Sequence, residues 1–239
     1  MFALTGGKGG SGKTTAALGL ARALAADGAD PLVVDADVGL PDAHLLAGVD
    51  RDPTWDQVAR GEPVTRVYQR SAELGGIAVL PAGTRDLLGP ALEAASDWHG
   101  PVLVDCPAGA GPGTATPLRH AEGAVLATTA APAALSDAEK TARVAERLDA
   151  PVLAALVRDT RETTALPFEC PHVERVPAID LAESGEPALR TVLDDPRVRA
   201  AHQSVAASLL DPEGTASTRR RRSADSRRKS RSAGGTKNR

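Results

Sequence analysis

Short apolar runs alternate with longer amphipathic segments along most of this chain. The runs have the length and composition of strands buried on both faces, and they lie at residues 2–4, 32–35, 77–80, 101–105, 124–128, 152–157 and 173–176. The segments between them predict helices at 16–26, within 43–60, at 85–95, at 133–149, at the end of 176–193 and at 196–210. The alternation predicts a doubly wound α/β fold, with a mostly parallel sheet and helices on both faces.

A glycine-rich stretch, GGKGGSGKTT, lies between the first predicted strand and the first predicted helix. It occupies residues 6–15 and contains the spacing Gly7-x-x-x-x-Gly12-Lys13-Thr14. In a loop of this kind, glycines let backbone N–H groups approach an anion at a helix N-terminus. The alternative is a glycine-rich turn without a ligand, but the strand–loop–helix context favours a bound nucleoside triphosphate.

The use of lysine strengthens this interpretation. Residues 1–213 contain fifteen arginines but only three lysines, and two of the three, Lys8 and Lys13, lie in this loop. A compact ammonium on a flexible stem can reach between two phosphates where a planar guanidinium does not fit. Lysine at these positions therefore indicates contact with phosphate.

Aspartates follow two of the predicted strands. Asp35 and Asp37 come at the end of strand 32–35, and Asp105 ends strand 101–105. Carboxylates at the carboxyl ends of parallel strands can hold Mg²⁺ or orient a water beside a phosphate loop. The alternative for Asp35 and Asp37 is a turn or capping role, and we favour a functional one for Asp37. The glycine-rich stretch 106–113 is expected to be a loop, either an ordinary one or one that changes shape when a γ-phosphate is lost.

Charge divides the chain into two unequal parts. Residues 1–213 carry 18 basic and 30 acidic side chains, a net charge of −12, whereas residues 214–239 carry ten basic side chains and one acid, a net charge of +9. The second part has no large apolar residue, so it cannot form a core or bury a face in lipid. We therefore expect a domain at 1–213 and a disordered basic tail at 214–239. The tail is either a solvated segment, a contact for nucleic acid or a contact for anionic lipid head groups.

Cysteine and histidine lack the spacing of metal ligands. Cys106 and Cys170 are far apart and form no C-x-x-C, so both are expected to be small core residues. The five histidines are scattered and are expected at the surface or at helix caps. No apolar run approaches the roughly 20 residues of a membrane span, and a phosphate loop that starts at residue 6 leaves no room for a signal peptide. We expect a cytoplasmic protein.

Three blocks, KGGSGKTT, DADVGL and VLVDCPAG, occur in the order found in one family. With PAGTRD from Pro81 and VPAID from Val176, they resemble the MinD/ParA family of deviant Walker A ATPases, in particular its MinD-type archaeal members, over about residues 1–210. The resemblance implies a P-loop NTPase fold of the SIMIBI type. It also implies binding of ATP and Mg²⁺, and hydrolysis of ATP to ADP and phosphate.

The resemblance also implies a role for each residue of the site. Lys13 would bind the β- and γ-phosphates, Thr14 would give its hydroxyl to Mg²⁺, and Thr15 would hold the α-phosphate. Asp37 would position the attacking water near Mg²⁺, and Asp105 would support Mg²⁺. Further nucleotide contacts would come from Gly7, Gly9, Gly10, Ser11, Gly12 and Pro177.

Lys8 matches the signature lysine of the family, which reaches across a nucleotide-sandwich dimer to the partner's phosphates. A charge delivered in trans ties hydrolysis to assembly. The resemblance therefore implies an ATP-dependent homodimer whose monomer hydrolyses almost no ATP. It implies a dimerisation switch in spatial positioning or partitioning, such as cell division or the placement of chromosomes, plasmids or protein complexes, with an unknown protein partner.

Three features depart from the family pattern. Asp42 stands where asparagine is usual, Val157-Arg158 replaces an Asn-Arg pair that faces the base, and the basic tail replaces an amphipathic membrane-targeting helix. Two other functions stay open on the same fold. They are an ATP-dependent metabolic ligase or kinase-like enzyme, and a nucleotide-binding regulatory module with little hydrolysis.

Overall fold

One mostly parallel sheet runs through the computed structural model, which describes residues 1–7, 9–158, 165–179 and 188–210. Within these ranges its eight strands follow the order β3-β4-β2-β5-β1-β6-β7-β8. The strands are β1 (Phe2–Thr5), β2 (Leu32–Asp35), β3 (Gln69–Arg70), β4 (Ala78–Leu80), β5 (Val102–Asp105), β6 (Gly123–Thr129), β7 (Val152–Arg158) and β8 (His172–Val176). Among these described strands, β3 alone pairs antiparallel, with β4 at one edge of the sheet.

Helices connect the strands. They are α1 (Lys13–Ala26), α2 (Ala43–Leu46), α3 (Trp55–Ala59), α4 (Val64–Val67), α5 (Leu88–Ala95), α6 (Pro112–His120), α7 (Pro132–Arg147), α8 (Ala188–Asp194) and α9 (Pro196–Leu210). A short 3₁₀ turn, Arg85–Leu87, precedes α5. The predicted doubly wound α/β fold is confirmed.

The core has a layer on each face of the sheet. Strands β1, β2 and β5 are buried along their whole length, as parallel strands covered on both sides must be. On one face α1, α8 and α9 pack against Leu4, Val33 and Leu103. On the other, α3 and α5 pack against Val34 and Val104, while α6 and α7 cover the strands beyond them. The carboxyl ends of the central strands are thus held at one edge of a rigid sheet.

Two of the unpredicted elements, helix α4 and strand β3, are very short. The third, helix α6, corrects the expectation that 106–113 is all loop, because it begins at Pro112 and includes Gly113. Proline suits the first position of a helix, since its N–H is not needed there. A Cβ at position 113 would lie 3.2 Å from Cγ of Pro107, so a larger residue there would require a small shift of the proline ring.

The expectation that every histidine lies at the surface or at a cap was wrong for two of them. His44 and His202 are 6% and 3% exposed. Cys106 is buried as predicted, while Cys170 is half-buried. In the described part of the chain, no helix is both long and apolar enough to cross a bilayer. The predicted tail, 214–239, lies outside the described residues.

Candidate nucleotide-binding site

The glycine-rich loop connects β1 to α1 at the centre of the sheet. Gly10 and Gly12 have φ values of +75° and +88°, a region that favours glycine, and Gly12 is the residue before the first turn of α1. Ser11 between them is buried, and its hydroxyl has no hydrogen-bond partner in the described ranges. Lys8 lies outside the described residues.

Two glycines of the loop are required by close packing, and a third is not. A Cβ on Gly7 would lie 2.7 Å from the backbone nitrogen of Ala138 in α7. A Cβ on Gly6 would lie 2.8 Å from Oγ of Ser11. At Gly9 the space around the Cα is open. The loop is therefore pressed against α7 on one side and open on the other.

Lys13, Thr14 and Thr15 form the first turn of α1. Lys13 is buried although it carries a charge, with 7% of its surface exposed, whereas both threonines are half-buried. No acidic side chain lies in this first turn. The N-terminus of α1 therefore combines free backbone N–H groups, a helix dipole and a lysine, which together favour an anion.

Asp105, at the end of β5, is fully buried. Burial raises the pKa of its carboxyl group well above the ordinary value; the Thr14 side chain and the Lys13 charge oppose that rise. Neither carboxyl oxygen has a hydrogen-bond partner in the described ranges, so the Thr14 hydroxyl lies near without completing a bond. A buried carboxyl group without donors costs free energy unless a cation compensates it. Carboxylate and hydroxyl oxygens are the ligands that Mg²⁺ takes, so Asp105 and Thr14 fit that ion.

Asp35, at the end of β2, has a different environment from Asp105. It is fully buried and accepts hydrogen bonds from the backbone N–H groups of Asp37 at 3.1 Å and Ala43 at 3.2 Å. Burial raises its pKa to about 7, although these two bonds act in the opposite direction. Asp35 therefore anchors both ends of the loop 36–43. No pattern of neighbouring residues separates this role from that of Asp37.

Asp37 is half-buried and turned towards its own loop. Its Oδ1 accepts from the backbone N–H groups of Gly39 and Leu40, each at 3.2 Å. This is the turn geometry that aspartate commonly adopts. The other carboxylate oxygen takes no part in these two bonds, so the same side chain can shape the loop and still face a ligand.

The loop after β5 is bonded directly to the glycine-rich loop. The N–H of Gly109 donates to the carbonyl oxygen of Gly6 at 3.0 Å, and the hydroxyl of Thr114 donates to the carbonyl oxygen of Gly109 at 2.7 Å. Gly109 has a φ of +80°. A change in the conformation of the glycine-rich loop can therefore reach the start of α6 through two hydrogen bonds.

A pocket of about 400 Å³ opens beside Gly12 and Thr15. Pro177, predicted as a nucleotide contact, lines it together with Ala178 and apolar side chains from β7, α1 and α8. Its volume is within the usual range for small-molecule sites, about 300–1,000 Å³. The pocket continues from the candidate phosphate site, which is where the nucleoside of a bound nucleotide would lie.

Arg158 lines the same pocket, and Val157 does not. The Arg158 guanidinium donates to the carbonyl oxygen of Gly10 at 3.2 Å, and so joins the end of β7 to the glycine-rich loop. Val157 is buried in the core, with 1% exposed. The contact between Arg158 and Gly10 could not be predicted, because it depends on the pairing of β6 and β7.

The structure thus brings Lys13, Thr14, Asp37 and Asp105 to one edge of the sheet, around a helix N-terminus. A family model, that of the CobQ/CobB/MinD/ParA nucleotide binding domain, matches residues 2–204. The chain belongs to this family of nucleotide-binding domains. The resemblance found in the sequence is therefore confirmed.

Individual relatives agree with the family. An uncharacterised ATP-binding protein of Methanocaldococcus jannaschii is 30% identical over 213 residues, which cover 84% of this chain and 76% of that protein. The septum site-determining protein MinD of Synechocystis is 28% identical, over 67% of this chain and 65% of its own. The structure is similar to that of the septum site-determining protein MinD complexed with Mg-ADP from Pyrococcus horikoshii. That likeness has a TM-score of 0.71 and 21% identity, and covers 89% of this chain and 96% of the other.

Proposed function

We propose that this chain binds Mg-ATP at residues 6–15, hydrolyses it, and acts as an ATP-dependent dimerisation switch in spatial positioning or partitioning. The observation that carries the proposal is Asp105, which is fully buried beside Lys13 and Thr14 and has no hydrogen-bond partner in the described ranges. A purely structural carboxyl group at such a place would be hydrogen-bonded. The relative with bound Mg-ADP and the ATP-binding relative support the same ligand.

The residues of the loop have separate tasks in this proposal. The backbone N–H groups of residues 9–13 and the Lys13 ammonium bind the phosphates. Thr14 and Asp105 hold Mg²⁺, which when bound neutralises charge on the phosphate oxygens. Pro177 and its neighbours cover the nucleoside. Asp37 orients the attacking water, while Asp35 keeps its loop in place.

The proposed dimer places a second copy against the nucleotide. Lys8 would supply positive charge to the partner's phosphates, and this role rests on the resemblance because Lys8 lies outside the described residues. Two large apolar side chains near Asp37 support an interface on this face, since Leu40 and Leu45 are 73% and 70% exposed. A contiguous apolar patch on a protein surface is typical of a site that meets a partner.

Sedimentation of the protein with ATP and with ADP tests the switch. With Mg-ATP and a slowly hydrolysing Asp37→Ala variant, we expect a species of twice the monomer mass. With Mg-ADP, or with Asp37→Ala combined with Lys13→Ala, we expect a monomer. A protein that stays monomeric with bound Mg-ATP would contradict the switch but leave nucleotide binding intact.

A second candidate is a nucleotide-binding regulatory module with little hydrolysis. It is favoured by the engagement of Asp37 in its own turn. In that case Asp37→Ala would not alter phosphate release. A ligase or kinase-like enzyme would instead form ADP from ATP only when a metabolite is added.

We further propose that the protein is cytoplasmic and that residues 214–239 form a basic segment separate from the ATPase domain, 1–213. The net charge of +9 favours contact with phosphates of nucleic acid or anionic lipid. Deletion of 214–239 should then abolish binding to DNA or to anionic vesicles and leave ATP binding unchanged. Binding that does not weaken with added salt would contradict an electrostatic tail.

A further inference from the structure

A second cavity lies between helices α1, α8 and α9, farther along α1 than the nucleotide pocket. Its volume is about 240 Å³, below the range usual for drug-sized ligands. Gly19 and Ala23 of α1, Leu193 of α8 and His202 of α9 form part of its wall. His202 also lines the nucleotide pocket, so the two cavities share one side chain.

Two arginines from different helices, Arg22 of α1 and Arg199 of α9, line this second cavity. Nη2 of Arg22 donates to Oδ1 of Asp194 at 2.8 Å. Nη1 of Arg22 is buried and has no acceptor in the described parts of the chain. A buried guanidinium nitrogen without an acceptor costs free energy. An acceptor supplied by a ligand would remove that cost.

The described charged residues around the cavity are mostly basic, in contrast to the acidic domain as a whole. Asp194 contacts three arginines. Its carboxylate accepts a hydrogen bond from Arg22 and lies 3.5 Å from Nε of Arg190. Its backbone carbonyl oxygen accepts a hydrogen bond from Arg199 at 3.2 Å. Asp194 is not part of the cavity wall. Among the described residues around the cavity, arginines thus outnumber carboxylates, although residues 1–213 as a whole carry a net charge of −12.

The histidine in the wall adds an acceptor to these donors. Nδ1 of His202 lies 2.8 Å from the carbonyl oxygen of Val198, which can only accept, so Nδ1 carries the proton. Burial lowers the pKa of His202 to about 4, so the ring is neutral at pH 7 and its Nε2 is an acceptor. Nε2 lies against Gly19, another residue of the wall. Two cationic donors with one acceptor match an oxyanion that still carries a proton, such as hydrogen phosphate.

We propose that this cavity binds a small phosphate-type oxyanion, either free phosphate or the phosphoryl group of a small metabolite, between Arg22 and Arg199. Bidentate contact with phosphate oxygens is the geometry for which arginine is suited. Because His202 and α8 border both cavities, an anion here also changes the affinity for nucleotide. That second effect rests on the proposed nucleotide site, whereas the anion site itself does not.

Calorimetric titration with inorganic phosphate tests the site, and the chain offers a matched control. Arg197 is an exposed arginine of the same helix that pairs with Asp195 at 2.9 Å and lies outside the cavity. The titration is made on protein loaded with Mg-ADP, so that the glycine-rich loop is occupied. We expect saturable binding by wild type and Arg197→Ala, and at least about tenfold weaker binding by Arg199→Ala, as for loss of a charge-assisted contact.

Equal binding by the Arg199→Ala and Arg197→Ala variants, or no saturable binding by wild type, would overturn the proposal. The same titration on nucleotide-free Lys13→Ala protein keeps this test independent of ATP binding. The ring signals of His202 in NMR spectra should move on addition of phosphate in both preparations. Succinate serves as a carboxylate probe, and binding of succinate without binding of phosphate would also overturn the phosphate assignment.

Discussion

Asp35 and Asp105 are register partners at the ends of neighbouring strands, and only Asp35 has hydrogen-bond donors in the described structure. Both carboxyl groups are fully buried. Asp35 uses its two oxygens to hold the ends of one loop, whereas Asp105 keeps both oxygens available beside Thr14 and Lys13. The fold therefore distinguishes a carboxyl group that holds a loop of the candidate site, Asp35, from one that is proposed to bind Mg²⁺, Asp105.

Replacement of Asp105 should affect stability and binding in opposite directions. Because burial raises its pKa, the folded protein keeps a proton there to a higher pH than the unfolded chain, so stability falls as the pH rises through that window. Asp105→Asn removes this loss. We expect the free energy of unfolding of the nucleotide-free variant to exceed that of wild type by about 1–3 kcal/mol at alkaline pH.

The same variant should lose the contribution of Mg²⁺ to nucleotide binding. Urea denaturation and ADP titrations with and without Mg²⁺ measure the two effects. Asp97→Asn, at an exposed position, is the control and should change neither. An Asp105→Asn protein that binds Mg-ADP like wild type would disprove the assignment of Asp105.

Asp37→Ala should slow hydrolysis without weakening ATP binding. Positioned acid–base groups contribute about 10²–10⁴-fold, so we expect a loss of at least about 100-fold in single-turnover phosphate release. The dissociation constant for Mg-ATP should stay within about threefold, since the proposed phosphate contacts come from the loop and Lys13. Equal losses in binding and turnover would show that Asp37 acts only by shaping its loop.

Gly7 and Gly9 form a matched pair for the loop. A Cβ at Gly7 collides with α7, whereas a Cβ at Gly9 meets open space. Gly7→Ala should therefore displace the loop and destabilise the protein by about 1–3 kcal/mol, as overpacking does. Gly9→Ala should leave thermal unfolding of the nucleotide-free protein within about 0.5 kcal/mol of wild type. Similar effects of the two substitutions would contradict the described packing of the loop on α7.

His202 should make stability depend on acid pH. Burial, and to a smaller extent the charge of Arg22, lower its pKa from 6.5 to about 4, so between these values the unfolded chain binds the proton that the folded protein does not. The resulting contribution of His202 to the free energy of unfolding is up to about 3 kcal/mol. It is fully present above pH 6.5 and is lost as the pH falls to about 4. His202→Gln should flatten this part of the stability profile, measured by urea denaturation. An unchanged slope would show that His202 titrates normally.

The sequence predicted those parts of the site that depend on local order. Patterns of neighbouring residues predict the strand, loop and helix within residues 2–26 and the aspartate that ends β5. The sequence therefore predicted where Lys13, Thr14 and Asp105 lie in the fold. The sequence did not predict different environments for Asp35 and Asp37, because both lie at the end of the same strand. Only the fold shows which carboxyl group accepts a hydrogen bond from the N–H of Ala43.

Sequence patterns did not predict the contacts between segments that are distant along the chain. His202 is buried because α9 packs on α1 at Gly19, where a side chain would collide with the imidazole ring. Arg158 meets Gly10 because β7 lies two strands away from β1 in the sheet. Neither contact has a signal in periodicity or spacing, since each depends on which elements become neighbours.

Phosphate release from Mg-ATP, measured over a wide range of protein concentration for wild type and for Lys8→Ala, tests the proposed dimerisation switch. A site completed in trans predicts that turnover per chain rises with concentration in wild type and stays low at all concentrations in Lys8→Ala, with ATP binding retained. A charge in trans is worth about 10³–10⁵ in rate in related hydrolases. Turnover per chain that is independent of concentration and unchanged in Lys8→Ala would contradict the dimerisation switch.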